Sequence, residues 1–230
     1  MSVLAPEDAQ AILLSLKVAA TATAADLPVA FACAYALARH RFPGRALLDA
    51  ATHLPLVLPP VATGYVLLVL MGHRGVIGGP LEALGIVFAF RWTGAALAAA
   101  VMAFPLMVRP IRLSIEAIDR EVGEAARTLG AGPVARLLRI TIPLAAPGLA
   151  AGAVLGFAKS LGEFGATITF VAAIPGETRT LPTAIYQATQ TPGADPQAIV
   201  LCVIAAFIAI IAVLASDAVG RGLARRRAPG

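Results

Sequence analysis

Five long apolar stretches, parted by polar segments, run the length of the chain. They cover about Ala11–Ala38, Leu54–Met71, Gly94–Val108, Pro147–Ala173 and Ala198–Val219. Each approaches the ~20 residues a helix needs to cross a hydrocarbon core. The pattern therefore predicts five transmembrane helices. A sixth apolar run, Leu81–Phe90, is about half that length and reads as a re-entrant or interfacial piece. Residues 1–10 hold no Lys or Arg but do hold Glu7 and Asp8, and the apolar stretch behind them is too long for the core of a signal peptide. The first stretch is expected to stay in the membrane.

Composition narrows the class. Of 230 residues, 59% are hydrophobic and 13% charged, and the mean hydropathy is +0.84. A soluble domain carries about 25% charged residues, so this chain has too little charge to coat a water-facing surface. Disorder, a coiled coil and an ordinary cytosolic enzyme are excluded. Ala/Leu/Val runs and 6% aromatics speak against an outer-membrane barrel. Cys33 and Cys202 both fall in apolar stretches and read as small packing residues, not as a disulfide or metal site.

The basic residues set an orientation. Arg39, Arg41 and Arg45 follow the first stretch. Arg109, Arg112, Arg120, Arg127, Arg136 and Arg139 lie between the third and fourth, and Arg221, Arg225, Arg226 and Arg227 close the chain. The opposite side holds only Arg74, Arg91 and Arg179. The positive-inside rule then places the N-terminus outside and the C-terminus in the cytoplasm. The whole chain, 1–230, is expected to be a single transmembrane domain with a cytoplasmic loop at 109–147 and a short basic tail at 220–230. No appended domain is expected after Val219.

Two regions depart from plain spanning helices. In Leu54-Pro55-Leu56-Val57-Leu58-Pro59-Pro60, followed by Gly64, each proline removes a donor and clashes one turn back. Such a break survives in a membrane only beside protein or a water-filled cavity, so it marks either a packing kink or a transport pathway. In the loop, Arg112, Glu116, Arg120 and Glu124 recur every four residues and predict a charge ladder on one helical face. Gly130-Ala131-Gly132-Pro133 should stop that helix, a second amphipathic helix should cover Val134–Ile142, and Pro143 and Pro147 should close the loop. Such a loop is either an interfacial helix on anionic headgroups or a docking element for a cytoplasmic partner.

Glu124-Ala125-Ala126, three residues, Gly130, nine residues, Ile140, one residue, Ile142-Pro143 resembles the Glu-Ala-Ala loop of ABC importer permeases. It departs only at Ile142, where Leu is usual. Leu54–Pro60, Ser160-Leu161-Gly162-Glu163-Phe164-Gly165-Ala166 and Ile174-Pro175-Gly176-Glu177-Thr178-Arg179-Thr180 resemble the permeases of molybdate importers, and the likeness extends over nearly the whole chain. Sulfate and tungstate permeases share the general pattern. The resemblance implies an all-α polytopic permease of the bacterial inner membrane that passes molybdate and works as a homodimer. Two separate ATPase subunits and an extracytoplasmic binding protein would be its partners. It also implies a coupling helix from about Glu124 to Gly130, seated in a cleft of the ATPase, with Glu124 as an electrostatic anchor and Gly130 as the turn. Ala125, Ala126, Ile140 and Pro143 complete that motif.

Other residues bear on the chemistry. No G-x-x-x-x-G-K-[ST] loop occurs, so ATP hydrolysis is expected in a second chain, and neither enzyme activity nor a cofactor is expected here. There is no H-E-x-x-H, and His40, His53 and His73 stand apart; no metal site is expected. Lys159 and Glu163 fall near the middle of the fourth stretch at i,i+4 spacing. They either pair to fix the rotation of the helix, or Lys159 and Ser160 border an oxyanion path. Thr63 and Tyr65, beside the broken second stretch, are weaker pathway candidates. Lys17 can snorkel outward, Asp26 before Leu27-Pro28 can cap a helix after a kink, and Arg179 lies either in a solvated loop pair with Glu177 or against a docked binding protein. Two alternatives remain: a secondary anion transporter working without ATP, which would leave the cytoplasmic loop unexplained, and a membrane scaffold.

Overall fold

The computed structural model describes residues 5–225, the last helix beyond Leu214 as backbone alone. The side chains of the basic tail at 220–230 thus lie outside the described residues. No strand occurs among the described residues. The helices are α1 (Pro6–Arg39), α2 (Arg45–Val57), α3 (Pro60–Met71), α4 (Gly78–Ala83), α5 (Trp92–Glu116), α6 (Arg120–Thr128), α7 (Pro133–Arg136), α8 (Ile142–Leu161), α9 (Gly165–Val171), α10 (Leu181–Thr189) and α11 (Asp195–Arg225). A π turn, Leu137–Thr141, joins α7 to α8. α1, α5, the continuous run Pro133–Leu161 and α11 are each long and apolar enough to cross a membrane. The α2–α3 pair, bent by 114°, makes a fifth if counted as one broken span. The Leu81–Phe90 run is not a span: α4 ends at Ala83 and turns lead on to α5.

α5 is the axis of the bundle. Ala95, Ala98, Ala99 and Met102 pack in one core with Val18, Ala22, Phe170 and Val171. Met107, Val108, Ile111 and Ile115 pack in a second core with Ala30, Ala34 and Leu37 of α1. Small side chains let the backbones approach closely, which is how helices associate where lipid supplies no hydrophobic drive. Gly148, Gly152 and Gly156 of α8 face Ser114, Ile111 and Met107 in turn, so α8 runs antiparallel along α5 with a glycine at every helical turn.

Two sequence expectations fail here. Asp26 does not cap a helix, because α1 runs unbroken through Pro28 to Arg39. Burial of Ala30, Ala34 and Leu37 against α5 offsets the roughly 3 kcal/mol that an interior proline costs. Asp26 Oδ2 is buried without a hydrogen-bond partner, beside an apolar cavity of about 370 Å³ between α1, α2 and α5. The fourth span is also displaced. It runs from Pro133 to Leu161, not from Pro147 to Ala173, so Pro143 and Pro147 do not close a loop but lie within the helical run. The π turn, in which Ile142 N–H reaches back to Leu137 O, loosens the ladder where these prolines offer no donor.

Arg179 is neither solvated nor free to meet a partner. It is buried, with its guanidinium 3.2 Å from Asp8 Oδ1 and donating to Gln187 Oε1 at 2.8 Å. Asp8, itself 0% exposed, also accepts from Gln197 Nε2 at 2.7 Å and from Ala5 N at 2.9 Å. This cluster joins the start of α1 to α10 and α11. Glu177, the expected partner of Arg179, instead accepts from Trp92 N and lies 3.9 Å from Arg91. Removing one member of a buried pair strands the other charge, which costs about 3–5 kcal/mol. Arg179→Ala is therefore expected to lower the thermal unfolding midpoint of the purified protein sharply; an unchanged midpoint would refute the latch.

Candidate coupling helix and translocation path

The polar loop begins where α5 stops. Ala117 ends α5, and Arg39 Nη2 takes Ile118 O at 3.0 Å, so that carbonyl does not extend the helix. Asp119 is extended, and its Oδ1 accepts from Glu121 N at 3.0 Å. It is an N-cap, and a side chain that satisfies an orphan donor in this way favours a fresh helix start over continuation. The expected ladder is thereby split. Arg112 pairs with Glu116 at 2.9 Å and also with Asp49 at 3.0 Å. Arg120 and Glu124 belong to the new helix, α6, which starts four residues ahead of the expected coupling segment.

α6 ends in a tight C-cap. Gly130 has φ +83°; Gly130 N bonds to Arg127 O at 3.0 Å and Ala131 N to Ala126 O at 2.9 Å. These are the paired bonds of a Schellman turn, which requires the left-handed conformation at its glycine. A Cβ at Gly130 would meet nothing within 4 Å, so backbone conformation, not crowding, demands glycine. None of α6 is buried. Glu124 is exposed and has no ion pair among the described residues, and Leu129, at the turn, is 87% exposed. Val122, Val134 and Leu138 are also exposed. A mostly polar nine-residue helix offering uncovered Leu and Val is suited to insertion into another protein's groove.

Ile140 lies in the π turn, partly buried, and Pro143 stands exposed at the second residue of α8. Both therefore sit on the helix that leads from the loop back into the bundle. Ile140, Glu124 and Pro133 help line a cleft of about 390 Å³ between α6, the end of α1 and α7.

The pathway candidates gather around the break between α8 and α9. Lys159 and Ser160 are near the C-terminal end of α8, not at mid-helix as expected, because the span is displaced. Glu163, 3% exposed, pairs with Lys159 through Oε2 and accepts from Ala166 N through Oε1 at 3.0 Å. The carboxylate thus holds the first turn of α9 as well as its cation. Across this break α3 comes very close. A Cβ on Gly64 would lie 2.5 Å from Ala166 O, and one on Gly165 would lie 2.7 Å from Pro60 Cβ. Thr63, next to Gly64, is buried, and its hydroxyl and that of Ser160 have no hydrogen-bond partner among the described residues. Two stretches far apart in sequence, Leu54–Pro60 with its continuation into α3 and Ser160–Ala166, thus meet. Tyr65 is exposed. Lys17 is exposed, and its Nζ sits 3.5 Å from the centroid of the Trp92 ring, a cation–π contact.

Sequence reading missed the pairing of Asp8 with Arg179. Their only signals were an acid in the first turn of α1 and an arginine in a Pro-Gly turn, and neither spacing relates one to the other.

Comparison with known proteins fits this geometry. Residues 27–228 match the model of the family described as binding-protein-dependent transport system inner membrane component. The molybdenum transport system permease protein ModB of Escherichia coli K12 is 56% identical over 95% of this chain and 96% of its own length. The ModB protein of Haemophilus influenzae is 50% identical over 96% of each chain. The sulfate transport system permease protein CysW of Synechococcus elongatus is 35% identical over 78% of this chain and 63% of its own. In fold, the chain is similar to the crystal structure of a bacterial ABC transporter involved in the import of the acidic polysaccharide alginate. The TM-score is 0.77 at 18% identity, over 98% of this chain and 82% of that one. This multi-pass helical chain belongs to the family of inner-membrane components of binding-protein-dependent transport systems, and it has the fold of an ABC importer permease.

Proposed function

We propose that the chain is the membrane-spanning subunit of an ATP-driven molybdate importer. The observation that carries this is the 56% identity to a molybdenum permease, end to end. The exposed α6 with its Gly130 turn supports it: an ATP-independent transporter has no use for a protruding docking helix. In this reading two copies of the chain form the pore, with the N-terminus outside and the polar segment between α5 and the Pro133–Leu161 run, together with the C-terminus, in the cytoplasm. Two ATPase subunits, which supply the nucleotide chemistry this chain lacks, receive α6, and an extracytoplasmic binding protein delivers the oxyanion. Closure of the ATPase pair moves α6, and the continuous helix from Pro133 to Leu161 carries that displacement to the α8–α9 break.

The path runs past Thr63 and Ser160. Molybdate presents only acceptor oxygens, and two hydroxyls with no partner among the described residues can donate to it without binding it so tightly that it cannot leave. Lys159 is neutralised by Glu163, and Glu163 is engaged at the start of α9, so the pair acts as a structural clasp beside the path. In vesicles containing this chain, its ATPase and its binding protein, ATP should drive uptake of radiolabelled molybdate. Excess tungstate should block it and excess sulfate should not. Strong competition by sulfate would reassign the chain to a broader oxyanion importer; uptake by the chain alone without ATP would overturn the importer reading.

A further inference from the structure

We propose that the groove between the α1–α2 corner and α6 is a binding site for the phosphate headgroup of an anionic phospholipid. The groove has a volume of about 280 Å³, and Arg39, His40, Arg41, Arg45, Glu116 and Arg120 line it. Four guanidinium groups thus face one carboxylate, and Glu116 is already bonded to Arg112. Arg39 spends one nitrogen on Ile118 O. The side chains of Arg41, Arg45 and Arg120 have no ion-pair or hydrogen-bond partner among the described residues. Guanidinium groups bind phosphate oxygens in a planar, two-point manner that ammonium groups do not, and basic pockets between spans are places where lipid headgroups lodge.

The surroundings select lipid over a soluble anion. The arginines sit at the ends of two helices of the membrane bundle. Interleaved with them are exposed apolar side chains, Phe42 next to Arg41 and Leu47, 74% exposed, two residues beyond Arg45. Gly44, with φ +93°, makes the turn that sets Arg41 and Arg45 on either side of one corner. Apolar side chains and arginines at one level suit the boundary between acyl chains and headgroups. Arg120 is the first residue of α6. A headgroup held by Arg41, Arg45 and Arg120 therefore ties the candidate coupling helix to the membrane corner, a link that rests on the importer reading above.

The test uses the intact complex with its ATPase in neutral detergent, titrated with acyl-labelled phosphatidylglycerol. Phosphatidylcholine with the same chains and millimolar inorganic phosphate serve as competitors. Phosphatidylglycerol should bind and neither competitor should displace it. With roughly 1 kcal/mol per arginine at a membrane surface, Arg41→Gln/Arg45→Gln/Arg120→Gln should weaken binding on the order of a hundredfold. The corresponding triple Lys variant should retain part of it, and Arg74→Gln, remote from the groove, should change nothing. Equal binding of phosphatidylcholine, or an unaffected Gln variant, overturns the proposal. Displacement by inorganic phosphate overturns it in favour of a soluble-anion site. Binding to the permease alone but not to the complex overturns it in favour of the ATPase as occupant. Lipid binding is read without molybdate, so its failure leaves the importer reading standing, and failed ATP-driven uptake leaves lipid binding standing.

Discussion

Glu124→Arg combined with Gly130→Leu is expected to abolish ATP-driven molybdate uptake while the chain still inserts and folds. Glu124 is exposed and makes no ion pair among the described residues, so reversing its charge breaks no described ion pair. Gly130 holds φ +83° with open space around it. Leucine there must either adopt the left-handed conformation, at roughly 1–2 kcal/mol, or unwind the Schellman turn. Either way the angle between α6 and α7 changes, and a docking helix must present its face within narrow limits. The measurement is uptake in vesicles containing the ATPase and binding protein, alongside the unfolding midpoint of the purified variant. Full uptake would show that α6 does not transmit the ATPase stroke. Lost uptake with a collapsed midpoint would instead mean that the turn is needed for folding.

Gly148→Leu is expected to destabilise the fold far more than Gly156→Leu, although both glycines face α5 in the same row. A Cβ on Gly148 would lie 2.3 Å from Ser114 Cβ and 2.6 Å from Pro110 O. Neither atom can move without shifting α5, the axis of both cores. A Cβ on Gly156 would strike the buried Met107 side chain, Sδ at 2.4 Å and Cγ at 2.6 Å, an unbranched thioether that repacks more readily than backbone or a Cβ. Overpacking that a core can absorb typically costs about 1–3 kcal/mol; the Gly148 substitution must exceed this and should prevent a stable bundle. Gly148→Ala and Gly156→Ala, compared by thermal unfolding in detergent, give the same ranking at smaller amplitude. Equal midpoints for the two alanine variants would show that α8 does not pack on α5 as described.

Pro28, Pro143 and Pro147 have the same local chemistry as Pro59 and Pro60, yet only at Pro59 and Pro60 does the chain turn, by 114° between α2 and α3. At Pro28 the following turns gain buried contacts with α5, and at Pro143 a π turn takes up the mismatch. Local rules name the sites of weakness; packing on the neighbouring helix decides which of them give way. The charge ladder fails for a related reason. Spacing by four predicts one helix, but Asp119 supplies a cap and Arg39, distant in sequence, engages the carbonyl at Ile118.

By itself the sequence determined the membrane class, most of the apolar stretches that become long helices, and the glycine at the turn of the polar loop. These depend on residue type and short-range spacing: apolar length against bilayer thickness, and the backbone freedom of one glycine. Tertiary structure alone decided that Asp8 and Arg179 form a buried latch, that Glu163 holds α9 as well as Lys159, and that Thr63 and Ser160 belong to segments joined across the Gly64–Ala166 contact. It also gathered arginines from α1, α2 and α6 into one groove. Each of these depends on side chains brought together from well-separated parts of the chain or on where a helix ends, and neither is encoded in a local period.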